Sequence, residues 1–305
     1  MNISKNILIT GGTGLLGKIL TKKLLANGHQ VSVLSRNPDK VKEIPAFHWD
    51  VKKQEIDEKC LDGIDVIIHL AGAGIADDKW TDERKKQIID SRVNSIKLIY
   101  QLIQKRENGV KTVVSASAVG FYGDRGEEIL TENSAKGTGF LSDSCALWEE
   151  AVDEGKKLGL RIAKFRIGLL LTEEGGVLAP FKLMVKTFTA MKFGDGKQWF
   201  PWVHVDDVAG MFEFAINHDN VNGVYNATAP SPVRNKEFTK TLANVLHRPF
   251  WSLQIPVFTL KIALGERKEL LLMSTKTDSS KIVETGYQFQ FTDLKKALED
   301  VTSGN

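Results

Sequence analysis

The chain has 305 residues, 42% hydrophobic and 26% charged, an ordinary globular balance long enough for one large core or two joined lobes. That composition excludes a wholly disordered chain, and a formal net charge of +3 with no long lysine or arginine block marks no nucleic-acid or polybasic membrane surface. Two cysteines, Cys60 and Cys145, exclude a disulfide framework; with no signal-like start and no apolar run near the roughly 18 residues of a membrane helix, a reducing, cytoplasmic setting is expected.

Ile7-Leu8-Ile9 predicts a first strand. Thr10 to Gly17 follow as T-G-G-T-G-L-L-G, opening a helical pattern at Leu15, Leu16, Ile19, Leu20, Leu24 and Leu25. Glycines 11, 14 and 17 allow a tight turn and close approach of a pyrophosphate, which would rest on the positive end of that helix. Gly11, Thr13, Gly14, Leu15, Leu16 and Gly17 are therefore the expected dinucleotide contacts. A turn serving only strand-to-helix packing is the competing reading, but a second strand at Gln30 to Leu34 lies at the distance a βαβ unit demands.

Arg36 ends that second strand, where an acidic residue normally accepts the ribose hydroxyls of NAD. A guanidinium there favours a 2′-phosphate, so NADP(H) is expected in preference to NAD(H). A solvated loop arginine is the bland alternative. A third apolar strand run, Val66 to Leu70, leads into Leu70, Ala71, Gly72 and Ala73, whose small residues let the backbone press on a cofactor. Helical patterns at 84–106 and 147–158 then alternate with strands at 112–114 and 161–165.

This alternation predicts an α/β fold, a Rossmann-type doubly wound parallel sheet, over residues 1–165, with ligands gathered at the strands' carboxyl ends. From 166 to 305 glycines and prolines interrupt the pattern. A smaller C-terminal substrate lobe, interleaved with the first, is expected there, with helices over 180–189, 205–217, 236–246, 257–264 and 292–301.

Further segments carry a resemblance: His69-Leu70-Ala71-Gly72-Ala73, Val114-Ser115-Ala116-Ser117 running to Tyr122-Gly123-Asp124, Val203 to Val208, and Gly223-Val224-Tyr225-Asn226. With the glycine turn, these resemble the extended short-chain dehydrogenase/reductase superfamily, which includes nucleotide-sugar epimerases and dehydratases. Arg84-Lys85 to Asp90-Ser91-Arg92-Val93, Trp148-Glu149, Asn226 to Pro230 and the Pro256 to Leu272 region narrow the resemblance to the atypical epimerase-family group.

The resemblance implies a catalytic Tyr-x-x-x-Lys pair, yet its two positions carry Cys145 and Glu149, and Arg92 replaces the asparagine usual on the long helix. Ser117 aligns with the superfamily's catalytic serine, with Ser115 as the alternative register, and Tyr122 is the nearest phenol. Cys145 and Glu149, four apart on a helix, are either an acid/base couple or a burial pair with Glu149 held by Arg92 or Arg166. Asp50 falls where related folds bond the adenine amino group, and Arg166 and Arg234 fall in segments that line the family's substrate cleft. His204 beside Asp206 and Asp207 reads as a helix N-cap, so no metal is expected.

These readings imply an NADP(H)-binding oxidoreductase or epimerase acting on a carbonyl or alcohol of a small-molecule substrate, with no nucleic-acid or membrane partner. A catalytically quiet NADPH-sensing regulatory or interaction protein is the alternative, suggested by the lost Tyr/Lys pair.

Overall fold

The computed structural model describes residues 4–173, 175–176 and 178–303. Strands β1 (Asn6–Thr10), β2 (Gln30–Ser35), β3 (Ala46–Asp50), β4 (Glu55–Ile56), β5 (Val66–His69) and β6 (Thr112–Ala118) build the first half of a central sheet. After the short β7 (Ile129–Leu130), β8 (Arg161–Ile167) extends it. Short strands β9 (Leu169–Leu171), β10 (Lys192–Phe193), β11 (Trp199–Phe200) and β12 (Trp202–His204) lie outside, and β13 (Gly223–Ala227) returns to the sheet's edge. The remaining short strands are β14 (Val233–Arg234), β15 (Gln254–Ile255) and β16 (Lys276–Thr277).

The central sheet has eight strands in the order β13-β8-β6-β5-β1-β2-β3-β4, parallel except for the β3–β4 hairpin. The winding reverses between β1 and β5, which opens a crevice at their carboxyl ends. This is the doubly wound α/β architecture expected from the alternating pattern. The expected division near residue 165 falls inside β8, and β13 supplies an edge strand from the second half of the chain.

Helices α1 (Leu15–Ala26), α2 (Asp82–Lys105), α3 (Phe140–Asp153), α4 (Leu178–Lys186) and α5 (Val205–Asn217) include those that cover the sheet. Adjacent residues of one strand show the two faces: Phe165 packs on Phe212 of α5, with ring centroids 5.1 Å apart, while Arg166 reaches Glu149 of α3. Helix α2 packs with α3, and α1 with α5. The third helix starts at Phe140 rather than at 147, because Leu141, Cys145, Trp148 and Val152 continue one buried stripe back to its first turn.

Helices α6 (Asn235–Val245), α7 (Val257–Leu264), α8 (Glu269–Leu272), α9 (Ser280–Glu284) and α10 (Leu294–Asp300) complete the chain. A second core forms from residues of α4, α6 and α10, centred on edge-to-face contacts of Phe181 with Phe193, Phe200 and Phe238. Among the described residues no helix is long and apolar enough to cross a membrane.

Candidate functional site

The glycine turn stands at the crevice. Gly11 has φ +69°, and a Cβ on it would come within 3.0 Å of the Leu70 carbonyl. At Gly17 a Cβ would lie 2.3 Å from the Gly11 carbonyl oxygen, so only glycine lets the turn and helix close together. Gly14 donates its N–H to the Gly11 carbonyl at 3.0 Å and caps α1 without any side-chain acceptor. The first amides of α1 therefore point into the crevice without a side-chain cap, beside an exposed Thr13 and half-buried Leu15 and Leu16. An uncapped helix start over a cradle that side chains would fill fits the phosphates of a dinucleotide.

Thr10 ties the two strand ends together. Its buried hydroxyl oxygen accepts from the Leu70 and Ala71 amides, each at 3.1 Å. Arg36, just beyond β2, is exposed and forms no ion pair or hydrogen bond among the described residues. Asp50 closes the β3–β4 turn, its Oδ1 accepting from the Lys52 and Lys53 amides at 2.9 and 3.2 Å.

Beyond β5, the loop carrying Gly72 and Ala73 is pinned to α2. Ser91 Oγ accepts from the Ala73 amide at 2.9 Å, and Arg92 donates through Nη1 to the Ala73 and Ile88 carbonyls at 3.1 and 3.0 Å. The Arg92 guanidinium also stacks on the Trp148 indole, 5.1 Å from its centroid. Gly72 is exposed, and a Cβ there would lie 2.9 Å from Arg92 Cζ. Glycine at this position thus leaves room for a guanidinium as well as for a ligand.

Below the loop, His69 is fully buried. Its Nδ1 accepts from Trp148 Nε1 at 3.3 Å, which leaves the proton on Nε2, 2.7 Å from Ser95 Oγ. Burial, reinforced by the charge of Arg92, pushes its pKa down to about 3, so the ring is neutral and structural.

The expected catalytic residues meet in a buried polar chain. Ser117 donates to Glu149 Oε1 at 2.6 Å, and Arg166 grips the same carboxylate through Nε and Nη2 at 2.8 and 2.9 Å. Arg166 Nη1 donates to the Tyr122 hydroxyl at 2.9 Å, which donates in turn to Asn226 Oδ1 at 2.6 Å. Arg166 also lies over the Phe121 ring, 3.5 Å from its centroid. Ser117, Arg166 and Asn226 are in-register neighbours on β6, β8 and β13, so they share one face of the sheet.

This geometry matches the burial-pair alternative, with Glu149 held by Arg166. Glu149 belongs to Arg166 and Ser117 rather than to Cys145, because a buried carboxylate is stabilised by a guanidinium and destabilises a neighbouring thiolate. Burial first, and then Glu149, pushes the Cys145 thiol up to about 12, against the opposing charges of Arg92 and Arg166. Tyr122 is wholly buried and its pKa is raised by that burial. The phenol is therefore packed inside the chain of hydrogen bonds, not presented to open solvent.

Arg234 is likewise engaged. It forms a fork with Glu127, at 3.0 and 2.9 Å, and covers the Trp199 indole, whose Nε1 also donates to Glu127. His204 caps α5 by accepting from the Asp206 amide at 3.2 Å, while its Nε2 lies 3.1 Å from Asp300 Oδ2. Asn226, Thr10 and Ser91 were not singled out from the sequence as site residues. All three lie in motifs legible in the sequence, but their partners across the fold are not.

Comparison with known proteins agrees with this architecture. The NAD dependent epimerase/dehydratase family profile matches residues 7–144 and 174–228, and a domain of unknown function, DUF1731, matches residues 255–301. Epimerase family protein YfhF of Bacillus subtilis is 39% identical over 300 residues, covering 97% of each chain. The human epimerase family protein SDR39U1, solved with NADPH, is 27% identical with a TM-score of 0.86, covering 98% of this chain and 100% of that one. A nucleoside-diphosphate sugar epimerase from Corynebacterium glutamicum is 35% identical with a TM-score of 0.79, covering 97% of this chain and 57% of that one. With its glycine turn, switch-point crevice and full-length relatives, the chain belongs to the NAD dependent epimerase/dehydratase family and has its NAD(P)-binding fold.

Proposed function

We propose that the chain binds NADP(H), in preference to NAD(H), and exchanges hydride with a carbonyl or alcohol carbon of a small molecule. One observation carries the reading: an uncapped α1 start over the glycine cradle, with the unpaired Arg36 at the neighbouring strand end. The NADPH held by the human relative supports the choice.

When bound, the nicotinamide supplies the redox chemistry. The chain's own groups do the rest. Backbone amides at Leu15 and Leu16 would hold the pyrophosphate, Arg36 would hold the 2′-phosphate, and Leu70 to Ala73 would lie against the cofactor. Ser117 polarises a substrate oxygen by turning its hydroxyl away from Glu149. Cys145 keeps its proton at neutral pH and serves as a hydrogen-bond donor, not as a nucleophile. Residues from 166 onward close the substrate side.

Titration tests the cofactor: NADPH should bind more tightly than NADH, and Arg36→Ala should erase a difference of about 1–3 kcal/mol. Equal affinities would reject the role of Arg36. For the chemistry, a screen of carbonyls and nucleotide sugars should show NADPH oxidation, slowed on the order of 10²–10⁴-fold by Ser117→Ala while cofactor binding persists. No turnover with intact NADPH binding would reject hydride transfer and favour a cofactor-responsive regulator.

A further inference from the structure

Arg92 is a half-buried cation with no carboxylate within ion-pair distance among the described residues, unlike Arg84, Arg161, Lys164 and Arg166, and in this it is matched by the buried Lys182. Two backbone carbonyls and the Trp148 ring orient its guanidinium, but none of the three neutralises it. Such a charge, half-buried at the crevice, is stabilised by an anion that arrives from outside.

Its open donors suit that task. Both carbonyl bonds use Nη1, so the N–H groups of Nε and Nη2 find no acceptor among the described residues. Neither atom is among the partnerless polar atoms sealed from solvent. Together they form the planar fork that matches the two oxygens of a carboxylate. A Cβ on exposed Gly72 would lie 2.9 Å from Cζ and 3.2 Å from Nε, so a ligand crossing Gly72 comes into contact with this guanidinium.

We propose that Arg92 is the anion-binding residue of the substrate site and takes a carboxylate of the substrate. The α1 amides and Arg36 already provide for the phosphates of the cofactor, which leaves Arg92 for the other reactant. This inference rests on the NADP(H) reading only for which molecule lies on which side of the loop.

Oxalate serves as the probe, titrated by calorimetry and tryptophan emission into the full chain with and without saturating NADP+, against chloride at equal ionic strength. It should bind, should not be displaced by NADP+, and should perturb emission through Trp148, a signal lost in Trp148→Phe. Arg92→Met should weaken oxalate by about ten- to a hundredfold and Arg92→Lys by less, as expected for a charge-assisted fork, with the same loss measured in the absence and presence of saturating NADP+. Oxalate binding that ignores Arg92→Met, or that leaves wild-type Trp148 emission unchanged, would overturn the proposal. So would competition between oxalate and NADPH, with NADPH affinity lost in Arg92→Met, because Arg92 would then serve the cofactor. Failure of the wild type to bind NADPH while oxalate still depends on Arg92 would overturn the cofactor reading alone.

Discussion

Glu149 holds Arg166 through both carboxylate oxygens, at 2.8 and 2.9 Å, with both side chains buried between α3 and the sheet. The pair forms a buried structural clasp between α3 and β8. Removing one charge of a buried pair leaves the other uncompensated, at a typical cost of about 3–5 kcal/mol. Glu149→Leu should therefore lose stability on that order in urea unfolding. Adding Arg166→Met should recover part of the loss, and a double variant less stable than Glu149→Leu would contradict the pairing.

Gly17→Ala drives a methyl group to 2.3 Å from the Gly11 carbonyl oxygen and 2.7 Å from Gly12 Cα, both backbone atoms that cannot swing aside. Overpacking of this kind costs about 1–3 kcal/mol and should shift the glycine turn. The melting temperature should fall, and NADPH binding should weaken further than stability alone explains. Unchanged NADPH affinity in the folded variant would separate the turn from the cofactor site.

Both thiols should be nearly inert in the folded protein. Burial is the first cause at each, reinforced by Asp57 at Cys60 and by Glu149 at Cys145, and both are pushed up to about 12. Relative to the ordinary value of 9.0, their thiolate fraction at pH 8 falls on the order of a thousandfold. A colorimetric disulfide reagent should label them slowly before unfolding and rapidly in urea. Fast native labelling at Cys145 would show a thiolate that this geometry disfavours.

His69 gives stability a pH dependence of known sign. The native ring stays neutral down to about 3, whereas the unfolded chain takes a proton near 6.5, so within that window the unfolded state binds more protons. The contribution is complete above 6.5 and is lost as pH falls toward 3, with a slope of at most about 1.4 kcal/mol per pH unit. Unfolding free energies at several values between pH 6 and 4 should fall more gently for His69→Gln than for the wild type. Parallel slopes would mean that His69 titrates alike in both states.

The cofactor half of the site was legible because its requirements are local. Gly11, Gly14 and Gly17 lie within one turn and the start of one helix, where close backbone approach demands glycine, and Arg36 marks a strand end by a charge that needs no partner to be read. Strand and helix alternation likewise exposes the doubly wound sheet. The start of the helix over 140–153 was less legible, because it begins before its strongest apolar run.

The buried polar chain depended on register. Ser117, Arg166 and Asn226 are far apart in sequence, and only the pairing of β6 with β8 and of β8 with β13 sets them side by side beneath α3. The sequence by itself determined which residue types were present, including the absence of the tyrosine and lysine at 145 and 149. Which carboxylate met which guanidinium was decided only in three dimensions: Glu149 found Arg166 where burial makes an unpaired charge costly, Glu127 found Arg234 at the surface, and Arg92 was left with backbone carbonyls.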